Sequence, residues 1–244
     1  MTKLDDSKKS ENDVQYNMSF YRIAGYSGIA IAIGYIYITI AYIISGSPLP
    51  TNAIEWITYL DNKDIIWWSI IWLSIITNLF YLPVAYGLYQ YLKNTSRAII
   101  LISGVLFTLF VFLELAITWS NYPTLLELVS KYKLATTDMQ KTIYLSAIEF
   151  ASTQFQTPIT AFYFIFIPSL AAILASYTML KSKRFGKIIP YVGLISGLCN
   201  AFSVMGGFFY EPLRNLVIVG SFLILFWFLG IGIYFIKLKQ ADKT

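Results

Sequence analysis

The sequence predicts an all-α fold: a polytopic membrane helix bundle of six transmembrane helices, with short interfacial helices on its outer side. Three observations carry that prediction. Of 244 residues, 57% are hydrophobic and 13% charged, whereas soluble chains carry roughly a quarter charged residues. The mean hydropathy is +0.62. The apolar residues also gather in runs of about 20 or more, the length an α-helix needs to cross about 30 Å of hydrocarbon. Lipid supplies no partner for backbone amides, and no period-two alternation marks barrel strands, so the runs are helices.

Residues 1–20 are polar and mixed in charge, without the apolar core and small-residue cleavage site of a signal peptide; they read as a disordered cytoplasmic tail. A transmembrane domain over 21–238 follows, with spans at about 21–45, 65–92, 97–119, 157–180, 188–209 and 213–236. Residues 239–244 form a second cytoplasmic tail. Gly28, Gly34, Pro83, Pro168, Gly193 and Gly197 fall inside the runs and mark packing and kinks, because neighbouring helices can satisfy the freed backbone groups. Gly193 and Gly197 make a GxxxG face that Asn200 continues, and Ala24, Gly28 and Ala32 repeat that spacing on the first span. Both faces are expected to meet partners within the bundle.

Two connections on the outer side are predicted helical. In the first, Pro48 and Pro50 make a turn, Asn52 is an N-cap, and Ile54, Ile57 and Leu60 follow at helical spacing. In the second, Leu125, Leu128, Val129 and Tyr132 share one face, as in a helix lying on the membrane. These helices read either as a cover for the bundle end or as a lid over a cavity. Tyr42, Trp56, Trp67, Trp68, Trp119, Tyr122 and Tyr210 lie near span ends and are expected to form an aromatic belt.

Charge sets the expected orientation. Lys63, Lys131, Lys133, Lys141 and Arg214 lie on one side, and the remaining thirteen of the 18 basic residues lie on the side of the termini. Cations concentrate in the cytoplasm, so both termini are predicted to be cytoplasmic, in a cell-membrane protein. The net charge of +5 does not imply nucleic acid, because the basic residues cluster at span ends. The bilayer is the predicted partner.

The inventory excludes whole classes of chemistry. With no histidine, there are no His-ligated haem or metal sites and no His general base. Cys199 is the sole cysteine, so no disulfide or CxxC site forms within the chain. No catalytic residue, cofactor or metal set is assigned.

Ionisable residues deep in a span mark function by default. Glu114 lies about 17 residues, or roughly 25 Å, beyond Arg97 along its helix. Thr118 and Asn121 follow on the same face. Counted from Lys93 and Lys187, Asn78 and Asn200 also fall past the midplane, toward the outer side. Glu149, Thr153, Gln156 and Thr160 form one polar stripe if the fourth helix runs through Pro158. The candidate ligand-binding residues are Asn78, Glu114, Thr118, Gln156, Thr160 and Asn200.

Leu180-Lys181-Ser182, the run Pro190 to Gly197 (PYVGLISG) and Arg22-Ile23-Ala24-Gly25 resemble a prokaryotic family of six-helix integral membrane proteins known only as a domain of unknown function. The resemblance implies topology and a membrane location, and carries over no catalytic residue. The expected function is non-enzymatic binding or movement of a small amphipathic molecule or lipid in an outward-facing cavity. The alternative is a structural or accessory subunit packed against another membrane protein. An enzyme would have to work with Glu114, tyrosines and lysines.

Reporters fused to the two termini are expected to register the cytoplasm at both ends. Finding either end outside would break the six-span order or its orientation.

Overall fold

The structure is a computed structural model; it describes residues 2–46, 49–61 and 63–238, with side chains from Met18 onward. The predicted tail at 239–244 lies outside these residues. The described residues are helical and contain no strand. Helix α1 runs Thr2–Ser45, and its apolar part is Met18–Ser45. The polar segment expected as a disordered tail is therefore helical from Thr2, and no glycine or proline occurs in it to stop the helix.

Five helical stretches are long and apolar enough to cross a membrane: Met18–Ser45, Asp64–Leu134, Pro158–Ser182, Ile188–Gly206 and Glu211–Lys237. The second contains two crossings. Helix α3 (Asp64–Leu79) leads into α4 (Tyr81–Leu113), which folds back at Ser96, where the backbone is extended (φ −159°, ψ 84°). The Tyr81 ring lies 5.7 Å from Phe107 and 5.1 Å from Phe110, so the arms before and after Ser96 run antiparallel. The bundle thus has the six crossings the sequence predicts. Pro83 has no amide hydrogen for the carbonyl four residues earlier, and the path bends just there, at Phe80.

After α4 come a π-helical turn, Glu114–Thr118, and α5 (Trp119–Leu134). The helix expected to end near residue 119 therefore continues into the second connection. Helix α6 (Asp138–Gln154) packs against α5 and against α2 (Ala53–Tyr59). The chain returns through α7 (Pro158–Ala161), a second π-helical turn at Phe162–Phe166, and α8 (Ile167–Ser182). Lys183 (φ 58°) and Gly186 (φ 68°) close the sharp turn into α9 (Ile188–Gly206), a left-handed geometry natural to Gly186. A 3₁₀ turn at Glu211–Asn215 precedes α10 (Leu216–Lys237).

Small residues let these helices meet closely. A Cβ on Gly28 would lie 2.9 Å from the Phe228 carbonyl oxygen, and one on Gly232 would lie 2.7 Å from the Gly25 carbonyl oxygen, which locks α1 to α10. A Cβ on Gly193 would collide with Ser176 Oγ and Trp227 Nε1, and one on Gly197 would lie 2.9 Å from the Ser169 carbonyl oxygen. The glycine faces read from the sequence do meet neighbours inside the bundle. Its outer surface carries exposed residues such as Ile33, Phe112 and Phe226, as expected where lipid is the solvent.

Among the described side chains, Arg22, Lys93, Arg97, Lys181, Lys183, Arg184, Lys187 and Lys237 gather at the end bearing the termini, here the terminal face. Lys63, Lys131, Lys133, Lys141 and Arg214 occupy the opposite end, the far face.

The far face is capped by α2, α5 and α6. Asn52 accepts a hydrogen bond from the Glu55 amide, the N-cap expected for α2. Glu55 in turn accepts from the Thr51 amide and hydroxyl, which holds its carboxyl below the usual range. The buried face of α2 is Ala53, Trp56 and Leu60, while Ile54 is exposed. The aromatic belt is corrected here: Trp56, Trp67, Trp119 and Tyr122 are buried in one cluster beneath the cap, whereas Trp68 and Tyr210 are exposed. The cap covers these rings, so they pack on one another instead of facing headgroups, with Trp56 edge to face on Trp67 at 5.7 Å and on Tyr122 at 6.4 Å.

Gly193→Ala is expected to lower stability by about 1–3 kcal/mol through overpacking. Gly104→Ala, where a Cβ meets nothing within 4 Å, is expected to be neutral or to stabilise by up to about 1 kcal/mol. Thermal unfolding of both variants in detergent checks the pair, and equal effects would contradict the packing.

Candidate functional site

A cavity of about 520 Å³ lies in the far half of the bundle, bounded by α1, α3, α4, the two π-helical turns, the start of α5, α8, α9 and α10. It sits at the seam of two cores. Tyr81, Phe107, Phe110 and Phe228 belong to the core nearer the terminal face, Ile38 and Trp119 to the aromatic core beneath the cap, and Tyr35 packs against both.

Three of the six predicted residues line this cavity: Asn78 from α3, Glu114 from the first π-helical turn and Asn200 from α9. All three are buried, Glu114 to 1% exposure. π-Helical turns recur at functional sites because they widen a helix and re-aim its side chains. Here two of them face each other: the Thr118 hydroxyl lies 3.2 Å from the Tyr163 hydroxyl on the second turn. Thr118 also donates to Glu114 Oε1 at 2.9 Å, so it positions the carboxyl without lining the cavity.

The hydrogen bonding is incomplete on the cavity side. Tyr81 donates to the Tyr35 hydroxyl at 3.2 Å, and Tyr35 donates to Asn78 Oδ1 at 3.4 Å. Glu114 Oε2, Asn78 Nδ2, Trp119 Nε1, Ser74 Oγ and Asn200 Oδ1 are buried with no partner among the described residues. Such unmade bonds are scarce inside proteins because each costs about 1–3 kcal/mol. All five belong to residues that line the cavity, where a molecule inside it can meet them. Gly220 makes room for Asn200: a Cβ there would overlap Asn200 Oδ1.

Gln156 and Thr160 do not reach the cavity. The helix does not run through Pro158: α6 ends at Gln154 and α7 starts at Pro158, which breaks the stripe on which the sequence reading depended. Gln156 donates to the Thr51 carbonyl, Thr160 to the Gln154 carbonyl, and Glu149 accepts from the Ala53 amide. These residues tie the cap to the bundle. Asn121 likewise donates to Gln154 at 2.6 Å, joining α5 to α6.

The sequence reading missed the aromatic lining. Tyr35, Tyr42, Tyr81, Phe107, Phe110 and Trp119 all contribute to the wall. Tyr35, Ile38 and Tyr42 share one face of α1 at i, i+3 and i+7, a signal that was available. Tyr42 and Trp119, read as belt residues, are cavity residues. Thr39, Phe164, Ile218, Ser221 and Phe222 also line the cavity and are exposed on the side of the bundle, so it opens laterally, toward lipid.

No group of His, Cys, Asp and Glu able to hold a metal ion occurs among the described residues. Comparison with the curated proteins and with the solved structures gives no match. The family model of the domain of unknown function DUF4386 matches residues 23–237, which covers all six crossings. This integral membrane protein, with its laterally open cavity, belongs to the DUF4386 family.

Proposed function

We propose that the protein binds a small amphipathic molecule or lipid, without catalysing a reaction, in the cavity bounded by Asn78, Glu114 and Asn200. The observation that carries this reading is the pairing of a polar, under-bonded wall with an opening toward lipid, lined by exposed Ile218 and Phe222. A molecule sliding in from the bilayer would bring its head to Glu114 and leave its chain against the apolar rim. The volume of about 520 Å³ falls within the range of small-molecule sites, roughly 300–1,000 Å³. The charge asymmetry supports an orientation with the termini in the cytoplasm and the cavity in the outer half of the membrane.

Use as an accessory subunit would call for small-residue faces open to a partner. Gly28, Gly193 and Gly197 are occupied within the bundle, which favours the binding reading.

Native mass spectrometry of the purified chain tests this, using three probes with the same dodecyl tail: dodecyltrimethylammonium, dodecanol and dodecanoate. The wild type is expected to retain at least one. Ser221→Trp, which fills the exposed mouth, is expected to lose it at unchanged melting temperature. Retention of none by the wild type, or equal retention by Ser221→Trp, would overturn the proposal.

A further inference from the structure

Resting on that reading, we infer that the ligand is an amphipathic cation, an alkylammonium-type head on an apolar chain, whose head is held by Glu114 inside a box of aromatic rings. The first ground is charge. Glu114 is the sole ionisable acid or base of the Asp, Glu, Lys and Arg class on the cavity wall, and no Lys or Arg lines it. The nearby far-face cations are engaged elsewhere: Lys63 donates to the Ser45 carbonyl and sits over the Tyr59 ring, Arg214 donates to the Gly207 carbonyl, and Lys133 pairs with Asp61. A carboxyl at this depth is expected to face a positive partner, and the described residues provide none.

The second ground is the direction of the hydrogen bonds. Glu114 Oε2 is a buried acceptor with no partner among the described residues. Thr118 already donates to its other oxygen. An anionic head would bring only acceptors to the Glu114 carboxyl, with no Lys or Arg on the wall to offset it.

The third ground is the wall. Tyr35, Tyr81, Phe107, Phe110 and Trp119 present aromatic rings around the polar group. Ring faces attract cations within about 6 Å of the centroid, most strongly when water is excluded. A carboxylate and several rings together favour a cationic head over a neutral one of equal size. Asn200 Oδ1 adds an unpartnered acceptor to the lining.

The test uses dodecyltrimethylammonium, dodecylammonium, dodecanol and dodecanoate on the full chain in a maltoside detergent, with affinities from ligand-dependent melting shifts. For the wild type, both cations are expected to bind at least tenfold tighter than dodecanol, with dodecanoate weakest. Glu114→Gln is expected to erase at least tenfold of the preference for the cations over dodecanol. The wild-type ranking needs no variant, so it decides the matter even if Glu114→Gln fails to fold. Dodecanol binding as tightly as the cations, or Glu114→Gln keeping the preference, would overturn the cation assignment and leave the cavity reading standing. Absence of binding by every probe would sink both.

Discussion

Hydrocarbon offers no hydrogen-bond partner, so every polar group this chain carries into the bilayer must be answered inside the bundle or by something bound there. Most are answered. Ser103 donates to the Ala171 carbonyl across α4 and α8, Ser196 donates to the Gly220 carbonyl across α9 and α10, and Thr178 returns to its own helix at Leu174. Among the unanswered atoms, those of Asn78, Glu114, Trp119 and Asn200 line the cavity, while Ser176 Oγ and Trp227 Nε1 are left unpartnered beside Gly193.

Where the helices part follows from the distribution of glycine. Toward the terminal face, Gly25, Gly28 and Gly232 bring α1 and α10 into backbone contact, and Gly87 accepts Ala24. Toward the far face the residues of α1 and α10 that face the gap are larger: Tyr35 and Tyr42 on α1, Val217 and Phe222 on α10. Large side chains hold the helix axes apart, and the gap becomes the cavity. The cap of α2, α5 and α6 closes the end above it with a dense cluster of tryptophan and tyrosine, so the way in runs through the side.

Much of this was legible in the sequence. Run length and charge gave the crossings and the two charged faces, and the GxxxG spacing marked contacts that do exist inside the bundle. Depth counting brought Asn78, Glu114 and Asn200 to one level, because rise per residue is nearly constant in a helix. The same counting failed for Gln156 and Thr160, since Pro158 starts a new helix and changes the direction of the chain. Two other features lay beyond pattern reading. The π-helical turns at Glu114–Thr118 and Phe162–Phe166 leave no mark in hydrophobic periodicity. The burial of Trp56, Trp67 and Tyr122 depends on a cap whose packing is set by contacts distant in sequence, such as Glu149 with Ala53.

The central claim is that the cavity beside Glu114 holds an amphipathic molecule from the surrounding lipid. An experimental density map of the chain purified with native lipid and embedded in nanodiscs tests it most directly. The account predicts an elongated density with its head against Glu114 and its chain leaving past Ile218 and Phe222. A cavity collapsed by closure of α10 onto α1, or one filled only with water from the far face, would contradict it.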